Sequence, residues 1–260
     1  MGLMDRMASW MVGYLTASSG AYQRRVPNDM ARLKEILRPG DIVLVEGGTR
    51  ISQVIMYLTQ SSWSHAAIYV GDALLRWGGA DADATLERLG IDAASLLIES
   101  DMKLGVIGVP LSKYQGTNLR ICRPHGLRPE DLDRVLEEVF RHLGVRYDKR
   151  NIFDLARYLT PFHLLPARFR RKPLYFGSSS SREIICSALI AKAFYKVNYP
   201  IQPIVHDTGK GGSHAFRDRV TVRHPSYIMP RDFDLSANFE IVKHHLKGFE
   251  SFDYRQLSLF

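Results

Sequence analysis

The stretch SHAAIYVG, residues 64–71, decides how the chain is read. Strict alternation puts His65, Ala67 and Tyr69 on one face of a strand and Ala66, Ile68 and Val70 on the other. Both sets are largely apolar, so the strand is expected to be covered on both sides. A titratable imidazole at its mouth needs a reason, and the neighbouring segments supply the candidates.

Upstream, DIVLVEGG (41–48) reads as a short apolar strand stopped by two glycines, and TRISQVIMYLT (49–59) as a helix with Ile51, Val54, Ile55 and Leu58 on one face. VPNDMARLKEILRPGD (26–41) predicts a helix with Met30, Leu33, Ile36 and Leu37 inward, ended by Pro39 and Gly40. Leu3, Met7, Trp10, Met11 and Tyr14 recur at helical spacing and predict a first amphipathic helix.

Downstream, residues 76–94 form an inserted excursion expected to be partly helical. SLLIES (95–100), GVIGVPL (105–111) and NLRICRP (118–124) follow as three strands in close succession, which predicts an antiparallel sheet. RPEDLDRVLEEVFRHLG (128–144) is the clearest helix: Leu132, Val135, Leu136, Val139, Phe140 and Leu143 make one stripe, opened by Pro129 and closed by Gly144. NIFDLARYL (151–159) adds a helical turn or two. SSSSREIICSALIAKAFYKV (178–197) is a serine run leading into a helix with Ile185, Leu189, Ile190 and Phe194, where Ser180 and Glu183 could form a capping box. HDTGKGGSHAFRDR (206–219) is polar and glycine-rich, hence a loop.

With 260 residues, 45% of them hydrophobic, the chain can bury a real core, and it is neither disordered nor dominated by membrane spans. No apolar run approaches the ~20 residues needed to cross a bilayer, and the first twenty residues make a poor signal peptide. The two cysteines, Cys122 and Cys186, are too few for a disulfide framework or a cysteine zinc site. A cytoplasmic setting with free thiols is expected. The formal net charge of +8 favours anionic partners. PFHLLPARFRRKPLYF (161–176) mixes basic heads with apolar neighbours, a composition suited to an anionic membrane surface and a peripheral location. Nucleic acid is not the expected partner. No glycine-rich phosphate loop or metal-ligand cluster is visible, and His244 and His245, being adjacent, would not both face one ion from a helix. No cofactor or metal is expected.

Cys186 lies near the start of a helix behind a polar loop, where unpaired amides stabilise a thiolate. A free cysteine also packs well as a small apolar group, and Cys122, inside a strand, fits that description better. A cysteine at a helix start and a histidine on a strand are the two ends of a thiolate–imidazolium pair. Such a histidine needs a third polar group to orient it. Glu99 ends an apolar run and is the first candidate; Asp101, two residues on and on the same face, is its rival. Tyr69 shares the face of His65 and is a candidate for lining a substrate cleft, although a core aromatic would look the same.

The blocks LRPGDIVLVEGG, SSWSHAAIYVGD, LLIES, GVPLSKY and EIICSALIAKAFY, with YIMPRDFDLSANFEIV near the end, resemble the YiiX/YaeF-like group. These are permuted papain-fold cysteine hydrolases, relatives of NlpC-type peptidases and of lecithin:retinol acyltransferase. The resemblance implies an α+β fold with an antiparallel sheet packed against helices and a chain order of histidine, acid, cysteine. It assigns His65 as base, Glu99 as orienting acid and Cys186 as nucleophile. It implies a catalytic domain over 38–243, flanked by a helical extension (1–37) and a tail (244–260).

The leading expectation is a cysteine hydrolase or acyltransferase acting on an amide or ester of a small-molecule, peptide or lipid-borne substrate through a thioacyl intermediate. One alternative is a cell-wall peptide amidase; another is a catalytically idle basic module that binds lipid or nucleic acid.

Overall fold

The computed structural model describes residues 13, 14, 16–20, 28–145, 186–205 and 220–243. Most of the first amphipathic helix, the 151–159 helix, the basic 161–176 segment, the Ser180–Glu183 box, the 206–219 loop and His244 and His245 lie outside them.

The fold is α+β. Its centre is a six-stranded sheet with every neighbouring pair antiparallel. The strands are β1 (Ile42–Glu46), β2 (His65–Gly71), β3 (Leu96–Asp101), β4 (Gly105–Pro110), β5 (Asn118–Pro124) and, late in the chain, β8 (Phe239–Val242). A separate two-stranded ribbon pairs β6 (Pro203–Val205) with β7 (Val220–Val222). The sheet order is β4-β3-β2-β1-β5-β8. The three strands that follow one another in sequence are therefore split: β3 and β4 form a hairpin, and β5 crosses to the far side of β1.

The alternation in SHAAIYVG sorts two cores. Ala66, Ile68 and Val70 join Ile42, Leu44, Leu96 and Ile98 on the face covered by α5 (Pro129–Phe140) and α6 (Cys186–Lys196). Val135, Val139, Leu189, Ile190 and Phe194 supply the helical side. Ala67 and Tyr69 join Val43, Val45 and Leu97 on the other face, under α1 (Met30–Ile36). Each fully buried Ile, Leu or Val contributes about 1.5–3 kcal/mol through removal from water. That is why both faces of β2 carry almost nothing polar beyond its first residue.

α1 starts where the Asp29 side chain accepts the Arg32 N–H at 3.0 Å, and it stops at Ile36 because Pro39 disfavours helix at the residue before it. Its Leu33 is fully buried. The helix thus packs as part of the same unit as the sheet, although it lies on the extension side of the boundary drawn at residue 38. Asp41 and Arg123 fasten that corner: the guanidinium reaches both carboxylate oxygens at 2.8 and 2.7 Å and the Ile36 carbonyl at 2.7 Å.

The 76–94 excursion is helical, as α3 (Ala73–Trp77), α4 (Ala80–Leu89) and a 3₁₀ stretch, Gly90–Ser95. β2 ends at Gly71 with a positive φ of 58°, where the pairing with β3 shifts register.

Two features fix the approach to His65. Between β1 and α2 (Arg50–Thr59), the Gly47 N–H donates to Ser64 Oγ at 3.0 Å, and a Cβ at Gly47 would meet Ser52 Oγ at 2.3 Å. Any larger residue there would have to displace Ser52. On the other side, Trp63 Nε1 donates to Asp234 of α7 (Pro230–Asp234) at 2.9 Å, and Arg120 binds the same carboxylate at 2.6 and 2.8 Å.

Candidate active site

His65 is the first residue of β2, and its side chain is 23% exposed. Ile68 stands opposite Ile98 on β3. Continuing that register places Glu99 across from Ala67, hence on the face of His65 and one pleat away. The imidazole Nε2 and Glu99 Oε2 lie 3.2 Å apart, and the carboxylate is 1% exposed.

Two further side chains hold this carboxylate. After β4 the chain makes a 3₁₀ turn, Leu111–Tyr114. From it the Tyr114 hydroxyl donates to Glu99 Oε2 and the Lys113 ammonium to Oε1. The Tyr114 and His65 rings lie 6.4 Å apart, centroid to centroid. The sequence reading assigned no role to Lys113 or Tyr114. The available signal was chemical: a carboxylate on a buried strand needs donors, and these two polar residues follow the strand that neighbours its own.

Cys186 opens the described part of α6, which packs across β2 and β3. Its sulfur is hydrogen-bonded to the His65 ring and accepts the backbone N–H groups of Ala66 and Ser187. With Nε2 held by Glu99, Nδ1 is the ring nitrogen left for the thiol.

The electrostatics follow from these contacts. Burial would raise the Cys186 thiol, but the charge and hydrogen bond of His65 and the two amides outweigh it and hold the thiol below its ordinary value. Burial would lower the His65 imidazole; Cys186 first and Glu99 second raise it to about 10. Burial would raise Glu99, yet His65 and then Lys113 bring it down to about 2. Burial and then Glu99 push the Tyr114 hydroxyl well above its ordinary value, so it stays a neutral donor. These shifts all favour the thiolate–imidazolium form of the pair, with the Glu99 carboxylate beside it.

The remaining expectations fall elsewhere. Asp101 accepts the N–H groups of Lys103 and Leu104 at 2.7 and 2.9 Å and closes the β3–β4 turn. Tyr69, considered for the cleft, is 5% exposed and bonded to Ser95 within the core under α1. Four residues along β2 from His65 is about 13 Å, so it lies toward the opposite end of the strand. Cys122 is fully buried across from Ile42, and burial pushes its thiol up to about 12. Among the described residues no group of three or more His, Cys, Asp or Glu side chains is arranged to hold a metal ion.

No family model matches the chain and no curated protein matches it. Among solved structures the chain is similar to the crystal structure of the metalloprotein yiiX from Escherichia coli O157:H7, DUF1105, at 15% identity and a TM-score of 0.47, over 80% of this chain and 97% of that one.

Proposed function

We propose that the chain is a cysteine-dependent hydrolase or acyltransferase with a permuted papain-like arrangement, in which histidine and acid precede the nucleophile. The observation that carries this reading is the unbroken bonded path from the Cys186 sulfur through His65 to Glu99, with two backbone amides on the sulfur.

In the proposed cycle the Cys186 thiolate attacks the carbonyl carbon of an amide, ester or thioester. Negative charge develops on the carbonyl oxygen beside the sulfur, and the amides of Ala66 and Ser187, which bond the thiolate, are the donors proposed to receive it as the sulfur's charge passes into the new bond. Collapse expels the amine, alcohol or thiol, which takes its proton from the His65 imidazolium and leaves a thioester on Cys186. Neutral His65 then removes a proton from water or an acceptor alcohol as that oxygen attacks the thioester. The acyl group departs, the thiolate returns, and the proton remains on His65. Glu99 holds the imidazole in the orientation both steps need and stabilises its charged form.

The test is limited alkylation of the full chain with iodoacetamide across pH, read by peptide mass. Cys186 should label before Cys122 and with the lower midpoint. His65→Ala should move the Cys186 midpoint up toward the ~8.5 of a free thiol. Earlier labelling of Cys122, or a Cys186 profile indifferent to His65→Ala, would overturn the reading.

On the same reading the substrate is a small molecule, a peptide or a lipid, and the basic 161–176 segment brings the protein to an anionic membrane surface. Among the described residues no helix is long and apolar enough to cross a membrane. Co-sedimentation should be stronger with anionic than with neutral vesicles and should fade as salt shortens the Debye length; equal binding to both would remove the surface role.

A further inference from the structure

Lys113 and Tyr114 sit on one short turn and both end on Glu99. Among the described residues the carboxylate therefore accepts from three donors: His65 and Tyr114 on Oε2, and Lys113 on Oε1. Glu99 is 1% exposed and the Lys113 side chain 39%, so the ammonium is hydrated on one side and paired on the other. Among the described residues the charges of the thiolate–imidazolium form then balance. The Cys186 thiolate and Glu99 carry one negative charge each, and the His65 imidazolium and Lys113 one positive charge each. Without Lys113 the cluster would be left with a net negative charge around a carboxylate that water scarcely reaches.

We propose that Lys113 is a positioning residue that sets the pH window of the Cys186–His65 pair by acting through Glu99, with Tyr114 fixing the carboxylate oxygen that His65 uses. The proposal rests on Cys186 and His65 being the catalytic pair. Among the described residues the groups facing the cluster come from four elements: His65 from β2, Glu99 from β3, Lys113 and Tyr114 from the turn after β4, and Cys186 from α6. Asp101, at the end of β3, adds a weaker negative potential at Tyr114.

The sign of each effect follows from Coulomb's law. Removing the ammonium takes a positive charge from the neighbourhood of the thiolate, so the Cys186 pKa rises. It also takes a like charge from the neighbourhood of the imidazolium, so the His65 pKa rises too. Removing the Glu99 charge does the reverse to both. A turn residue with a merely structural role would change stability or the amount of active protein, but would not displace both titrations together in a direction set by its charge.

The experiment follows two readouts on the full chain: the pH midpoint of Cys186 alkylation by iodoacetamide, and the His65 imidazole pKa by NMR. The variants are Lys113→Met, Lys113→Gln, Lys113→Arg, Glu99→Gln and His65→Ala. Both neutral variants of Lys113 should raise both values by about 0.5–1 unit, the size expected of one half-exposed unit charge. Lys113→Arg should restore them, and Glu99→Gln should lower them. Two neutral variants serve because either folded one gives the reading. Unchanged midpoints in a folded neutral variant, or a Lys113→Arg shift equal to that of Lys113→Met, would overturn the proposal. If His65→Ala still raises the Cys186 midpoint in that case, the catalytic pair stands without Lys113. If His65→Ala has no effect, the pair itself fails and the proposal with it.

Discussion

Cys122 sits in the middle of β5, across from Ile42, with none of its surface exposed. Cys186 sits at the head of α6, where that helix meets the first residues of β2. The two side chains are identical and both are removed from water to a large degree. Their thiols nevertheless shift in opposite directions. At Cys122 burial dominates, the nearby Asp234 adds to it, and Arg120, already committed to Asp234, offsets little. At Cys186 the same desolvation is met by an imidazolium and two amides aimed at the sulfur. Burial alone therefore does not decide whether a thiol is inert. The donors arriving with it decide, and here they are supplied by a strand end and a helix start.

The largest effect that would sharpen the comparison is on turnover. Cys186→Ala should lower hydrolysis of an activated ester such as p-nitrophenyl acetate by roughly 10³- to 10⁶-fold. Cys122→Ala should leave kcat within about twofold while lowering stability by about 1–2 kcal/mol in urea unfolding. Comparable losses of turnover from both would break the distinction.

Next comes the acid. Glu99→Gln should lower kcat by roughly 10²- to 10⁴-fold with the fold intact, because the imidazolium loses its buried counter-charge. Asp101→Asn should change kcat by less than about twofold, since the Asp101 carboxylate is taken up by the turn amides of Lys103 and Leu104. The opposite ranking would move the orienting role to Asp101.

Glu99 should also appear in the pH dependence of stability. Its pKa in the folded protein, about 2, lies below the ordinary 4.5. The folded state therefore favours the carboxylate, and this contribution is complete above the unfolded value and lost as pH falls through the folded one. Unfolding free energy should fall between those two values, and Glu99→Gln should flatten that part of the curve. An unchanged acid limb in the variant would mean that Glu99 is not held as an ion.

The smallest effect concerns Tyr69. Tyr69→Phe removes a hydroxyl bonded to Ser95, costing about 1 kcal/mol of stability and leaving KM for the ester unchanged. A raised KM would return Tyr69 to the cleft.

Much of this was legible in the residues, for reasons that are local. The alternation of SHAAIYVG assigns two faces to β2 before any partner is known, and the stripe Val135–Leu136–Val139–Phe140 marks the buried side of α5, because side-chain direction follows backbone period. Cys186 and His65 could be nominated because a helix start and a strand mouth are recognisable from sequence. The placement of β5 beside β1 could not be read the same way. Strand pairing depends on which edges are still open when the chain returns, and hydrophobic runs of similar length do not encode that.

The donors on Glu99 show the same boundary. Sequence determined that an acid at the end of LLIES would stand on a strand, and it put Glu99 first while leaving Asp101 as a rival, since residues two apart share a face. Only the tertiary structure separated them: His65 meets the Glu99 carboxylate at 3.2 Å, the β3–β4 turn occupies Asp101, and the turn after β4 brings Lys113 and Tyr114 to Glu99 from 14 and 15 positions away. The physical reason is range. Periodicity and capping act over a few neighbouring residues, whereas the pKa of a buried group depends on every charge and donor within several ångströms, and those arrive through contacts that no local pattern specifies.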